Sequence, residues 1–221
     1  MKVTPPGCLP ARRAFFRGIA LIELLIVIAI LSLLGGFASV ILNRANAAAR
    51  QLKCASNLRQ IGVAVNAYAT DNGGQLPGPI FGGQPAYYTP YTKDGFLLTF
   101  LAPYLNLPLT PKTSPLRAEI FVCPAWKAAV PRELDKPFSR IYVMQNLGRF
   151  RDGTSGFPFG YPKSGDQPEK GPVRMTMLES PAQTAVMWDL DHYSIDGFML
   201  NTSVHSGKRN YLYFDGRVEL R

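Results

Sequence analysis

Two histidines, three cysteines and one glutamate inside an apolar run are the residues through which this chain could do chemistry. His205 and Asp215 have the types of a proton-transfer pair. No nucleophile or third group stands at a spacing that would complete an acid–base site around them. Asp215-Gly216 is accounted for by a turn, and His205 by packing on a sheet or a bond to a loop carbonyl. His192 lies beside Asp189 and Asp191, with Asp196 close by. These three aspartates are weak candidates for calcium, because they lack the alternating acids, glycine and terminal glutamate of an EF-hand loop. Aspartates so spaced also serve turns. The expectation is a chain that is not an enzyme and carries no resident cofactor, with calcium the one metal worth testing. Cys8 precedes the apolar run, and Cys54 and Cys123 follow it. No zinc-type Cys or His spacing is present. A disulfide between Cys54 and Cys123 and a pair of buried thiols both fit the sequence. Glu23 is the remaining group. A carboxylate at mid-bilayer costs about 2.5–3.5 kcal/mol, so an acid held in lipid normally has a partner.

The elements that must position these groups follow from hydropathy and spacing. Ile19–Leu42 is a 24-residue apolar run. As a helix it would be about 36 Å long, enough to cross a hydrocarbon core of about 30 Å with some tilt. A secretory signal core is shorter, about 7–15 residues. The net charge is +9, and Lys2, Arg12, Arg13 and Arg17 ahead of the run carry four of those charges, with no acid among them. They place the N-terminus in the cytoplasm and the following domain outside. The other basic residues are scattered, so no specific nucleic-acid partner is expected.

The spacing divides the chain into a basic leader over 1–18, a transmembrane half-helix over 19–42, an amphipathic half-helix over 43–70 and a globular head over 71–221. Cys54, Leu58, Ile61, Val65 and Tyr68 form one helical stripe on which the head should pack, with Asn57 off it. Asp71-Asn72-Gly73-Gly74 supplies a left-handed cap. Asp94 is placed to cap a short helix within 95–105, and Tyr87, Tyr88, Tyr91 and Tyr104 to pack in the core or form a contact surface. Residues 120–122, 140–144, 173–178 and 184–188 read as strands. Residues 210–214 and 217–220 read as a hairpin around a type I′ turn at Asp215-Gly216. One long helix followed by short adjacent strands predicts an α+β head with an antiparallel sheet laid on the helix.

Gly18-Ile19-Ala20-Leu21-Ile22-Glu23, behind a basic leader, resembles the processing motif of the type IV pilin and type II secretion pseudopilin superfamily. Two further stretches are similar to pseudopilin-like proteins: Cys54-Ala55-Ser56-Asn57-Leu58-Arg59-Gln60-Ile61-Gly62, and His205 followed after nine residues by Asp215-Gly216. Many members of the superfamily have Phe where Ile19 stands and proline where Val40 stands. The resemblance implies cleavage by a prepilin peptidase after Gly18 and N-methylation of Ile19. It implies pairing of Glu23 with the amine of a neighbouring subunit. It further implies a single-pass protein of the bacterial inner membrane that joins other pilin-like subunits on an inner-membrane assembly platform, in a type II secretion pseudopilus or a type IV pilus-like filament. The competing expectation is a binding module on the same anchor, capturing DNA or a polysaccharide. A membrane-anchored enzyme using His205 or His192 stands third.

Overall fold

The computed structural model describes residues 21–90, 95–109, 114–130, 136, 139–145, 147–191, 204–205 and 207–221. Gly18, Ile19, Tyr91, Asp94, His192 and Asp196 lie outside the described residues. The chain forms two compact units that divide after Ala45, the second being Asn46–Arg221.

Helix α1 runs Leu21–Asp71 and is helical at every residue, Gly35, Gly36 and Val40 included. Nothing in this stretch resembles a proline that would remove an intrahelical hydrogen bond. The helix ends as its sequence demands: Gly73 and Gly74 take positive φ, and the Gly74 N–H donates to the Ala69 carbonyl at 2.7 Å. That bond closes a left-handed cap over carbonyls the helix would otherwise leave bare.

Strands β1 (Gly83–Pro85), β4 (Arg140–Met144), β7 (Ala185–Asp189), β8 (Asn210–Tyr213) and β9 (Val218–Leu220) make the main sheet among the described residues. Their order is β1-β4-β7-β8-β9, antiparallel throughout. Two small ribbons pair β2 (Tyr87–Tyr88) with β3 (Leu116–Arg117) and β5 (Gly148–Arg149) with β6 (Ser155–Gly156). Two short helices, α2 (Leu97–Leu101) and α3 (Pro124–Ala129), flank them. The architecture is α+β, a long N-terminal helix packed on a small antiparallel sheet, consistent with a pilin-like fold.

The core forms where the stripe of α1 meets the inner side of the sheet. Cys54, Leu58, Ile61 and Val65 are buried together with Met144, Met187 and Leu212. Gly62 faces β8 closely: a Cβ there would stand 2.8 Å from Leu212 Cδ1. Asn57 is buried and donates to the Val122 carbonyl at 3.1 Å, so the packed face is wider than the apolar spacing implies. Tyr88 is buried, and its hydroxyl donates to the Pro108 carbonyl at 2.8 Å. Tyr104 packs edge-on to Tyr68 at 5.8 Å, and Tyr87 is half-buried against the same core.

Several local expectations are corrected. Residues 119–121 and 175–177 are single 3-10 turns and not strands. The 120–122 run before Cys123 is held by turn bonds, Phe121 N–H to Ala118 O and Val122 N–H to Glu119 O, and not by a described neighbouring strand. Around 173–178, Val173 and Met175 give their N–H groups to Pro158 and Gly74, and among the described residues the segment pairs only through isolated bridges at Arg174 and Leu178. Helix α2 takes its first N–H bond from afar: Leu97 donates to Gln84 Oε1 of β1 at 2.6 Å. The hairpin turn also differs. Gly216 has positive φ but Asp215 does not, and the Gly216 N–H donates to the Tyr213 carbonyl at 2.9 Å. This is a three-residue loop, a type I turn followed by a left-handed glycine, in place of type I′.

Candidate functional site

Two features stand out, one in each compact unit. The first is the exposed apolar surface at the start of α1. Among its large apolar residues from Leu21 to Leu42, exposure runs from 51% to 83%. Glu23 lies in the first turn of this helix as described. A surface so apolar all round is that of a buried or membrane-embedded helix. By length and composition, α1 is the one candidate membrane span among the described residues.

The second feature is a polar node inside the head. Cys54 on α1 is joined by a disulfide to Cys123, whose Cα stands 4.9 Å away across 69 residues of sequence. Cys123 occupies the N-cap position of α3, and Pro124 occupies the first helical turn, where a missing N–H is harmless. His205 precedes β8, and its Nε2 lies 3.5 Å from Cys123 Sγ. Asn210 opens β8 and Asp189 closes β7. Antiparallel pairing of β7 with β8 brings these strand ends together: Asp189 Oδ2 accepts from Asn210 N and Nδ2, both at 2.9 Å. The same oxygen lies 3.1 Å from His205 Nε2, with side-chain exposures of only 3% and 1%. Asn210 Nδ2 is 3.0 Å from that nitrogen.

One ring nitrogen therefore faces a sulfur, a carboxylate oxygen and an amide. When protonated it donates to Asp189; when bare it offers a lone pair. The imidazole and both cysteine sulfurs lie within 4.8 Å of one another and are all buried. Tyr142, opposite Asp189 in the sheet, has a wholly buried hydroxyl with no hydrogen-bond partner among the described residues. Burial pushes its pKa well above the usual tyrosine value, and the Asp189 charge pushes the same way.

The structure thus brings together Cys54, Cys123, His205 and Asp189. It does not bring Asp215 to them, since Asp215 Oδ1 accepts from Arg217 N within the hairpin turn. Asp191 is buried and pairs with Arg209, Oδ2 to Nε at 2.6 Å. Asp189 and Asp191, weak calcium candidates or turn residues by sequence, are buried with protein partners. Sequence reasoning missed Asn210 altogether. The available signal was its place in β8, where alternation puts it on the same side as Leu212.

The outer side of the sheet carries Trp188 stacked on Tyr211, ring centroids 5.7 Å apart. Beside them, the Arg217 guanidinium lies 4.3 Å from the Tyr213 ring centroid. Gln145, Gln183, Arg209 and Arg221 complete an open cleft of about 390 Å³. Arg209 pairs with Asp191, Arg217 with Asp215 and Glu219, and Arg221 with Glu219, so three acids answer the three arginines of this face.

Comparison with known proteins adds one finding to this pilin-like architecture. A family described as a protein of unknown function (DUF1559) matches residues 43–109, less than half of the chain. The match covers Cys54 and the packed stripe of α1 but stops before Cys123, Asp189 and His205. No curated protein and no solved structure matches the chain.

Proposed function

We propose that this chain is a prepilin-like structural subunit. A prepilin peptidase cuts it after Gly18, Ile19 becomes the methylated N-terminus, and the product assembles into a type II secretion pseudopilus or type IV pilus-like filament. The observation that carries the reading is Glu23 on an exposed apolar helix that continues without a break into the packed stripe of an α+β head. An acid so placed is costly in lipid unless a cation answers it. A new amine at Ile19 of an adjacent subunit is such a cation. In this reading the N-terminus is cytoplasmic, the helix is a single pass through the inner membrane, the head lies outside, and the chain is a substrate of an enzyme and not itself one. The test is the N-terminal mass of the protein from membranes, with and without the peptidase. A methylated Ile19 terminus is expected, and an intact Met1 in fully functional protein refutes the proposal.

A second reading has its own support. The Trp188–Tyr211 stack beside Gln145 and Gln183 has the planar apolar surface and amide groups that bind sugars. Because the arginines there are paired with acids, an uncharged polysaccharide suits it better than DNA. Binding that falls steeply with salt would point to nucleic acid instead.

A further inference from the structure

We infer that Cys54, Cys123 and His205 form a redox-gated binding site for a thiophilic divalent ion, with zinc as the type case. The disulfide state described above is its closed form.

A buried histidine stands against the sulfur of Cys123, and a buried carboxylate stands against that histidine. Burying such groups costs free energy that must be recovered through their contacts. The nitrogen-to-sulfur distance is that of two ligands around one ion. With Zn–S of about 2.3 Å and Zn–N of about 2.0–2.1 Å, tetrahedral ligands place sulfur and nitrogen about 3.5 Å apart. His205 Nε2 stands 3.5 Å from Cys123 Sγ. Asp189 Oδ2, 3.1 Å from that nitrogen, is an oxygen available for a fourth position. Two thiolates must spread to about 3.8 Å to share the ion. Rotation about the side-chain bonds supplies this from two Cα atoms 4.9 Å apart. Two thiolates cancel the charge of a divalent ion, and the Asp189 carboxylate keeps its hydrogen bonds from Asn210. His205 also forms part of the wall of an open cleft of about 400 Å³, together with Arg50, Gln51 and Lys208.

Opening the site needs an external dithiol as reductant. It delivers two electrons and two protons to the Cys54–Cys123 bond and closes its own disulfide. The ion then displaces the two thiol protons to solvent. The fragments of this site come from α1, the start of α3 and the segment before β8, which is why no local Cys or His spacing announces it. The inference is independent of filament assembly.

The experiment uses the full chain in detergent, reduced without oxygen and freed of reductant, with Co2+ as the probe. Expected are one Co2+ per chain, sulfur-to-cobalt charge-transfer absorption, the intense visible bands of a four-coordinate ion, and displacement by Zn2+. Oxidised protein should show none of these. His205→Ala should weaken binding by at least about 10-fold. X-ray absorption of the zinc-loaded wild type, which needs no variant, should show a shell of two sulfurs with nitrogen or oxygen. Absence of the charge-transfer band in reduced protein, a shell without sulfur, or unchanged affinity in a folded His205→Ala protein would each overturn the assignment.

Discussion

Replacing both Cys54 and Cys123 with alanine tests how much of the head depends on one covalent link. The link spans 69 residues. Constraining a loop of that length in the unfolded chain stabilises the fold by about 4 kcal/mol in the chain-entropy account. Both sulfurs are fully buried, so truncation also removes packing atoms and adds to the loss. Hydrogen bonds of the node do not offset it, because Asn210 and Asp189 keep one another. For a domain the size of Asn46–Arg221, about 2–4 °C per kcal/mol translates this into a fall in Tm of about 8–16 °C. The assay is thermal unfolding of the full chain in detergent, followed by near-ultraviolet circular dichroism with a chelator present. The chelator separates the disulfide from any metal bound by reduced protein. A double variant within about 1 kcal/mol of wild type would refute the reasoning, because the unfolded chain would then gain nothing from its release.

Four further outcomes are expected. Asn210→Ala removes the amide donor to the Asp189 carboxylate, and a hydrogen bond to a charged group contributes about 1.5–3 kcal/mol, so chemical denaturation should show a loss of that order. Gly62→Ala gains about 0.5–1 kcal/mol of helix propensity but presses on Leu212, where overpacking costs about 1–3 kcal/mol; the net should be a loss of about 1 kcal/mol by the same assay, and a gain would mean Leu212 moves freely. Tyr142 stays neutral in the fold while the unfolded chain begins to ionise near pH 10, so its contribution is intact below that pH and is lost as pH rises through the higher folded-state value; Tyr142→Phe should flatten the alkaline limb of a stability–pH curve. Glu23→Val should leave membrane insertion unchanged and impair incorporation into filaments, read by fractionation and by shear of surface filaments.

Much of this fold was legible because period and punctuation agree. Cys54, Leu58, Ile61 and Val65 read as one face and are one face, and Asn210–Tyr213 with Val218–Leu220 read as a hairpin and form one. The misreadings share a cause. Residues 119–121 and 175–177 have strand-like composition, but their hydrogen bonds go to turns and to distant loops, which composition does not encode. The node was illegible for a related reason. Cys54, Cys123, Asp189, His205 and Asn210 come from five places in the chain, and only the β7–β8 register and the packing of α1 bring them into contact. Asn57 shows the limit of apolar patterning: its amide is buried because a carbonyl at Val122 receives it.

The placement of Cys54 has a mechanical consequence. Traction applied at the apolar end of α1 travels along the helix and meets Cys54 before Leu58, Ile61 and Val65. Force is therefore handed to Cys123 through sulfur before it can peel the side-chain contacts further along. A head tethered in this way resists being stripped from its own stem, while the same stem with open thiols would unzip contact by contact.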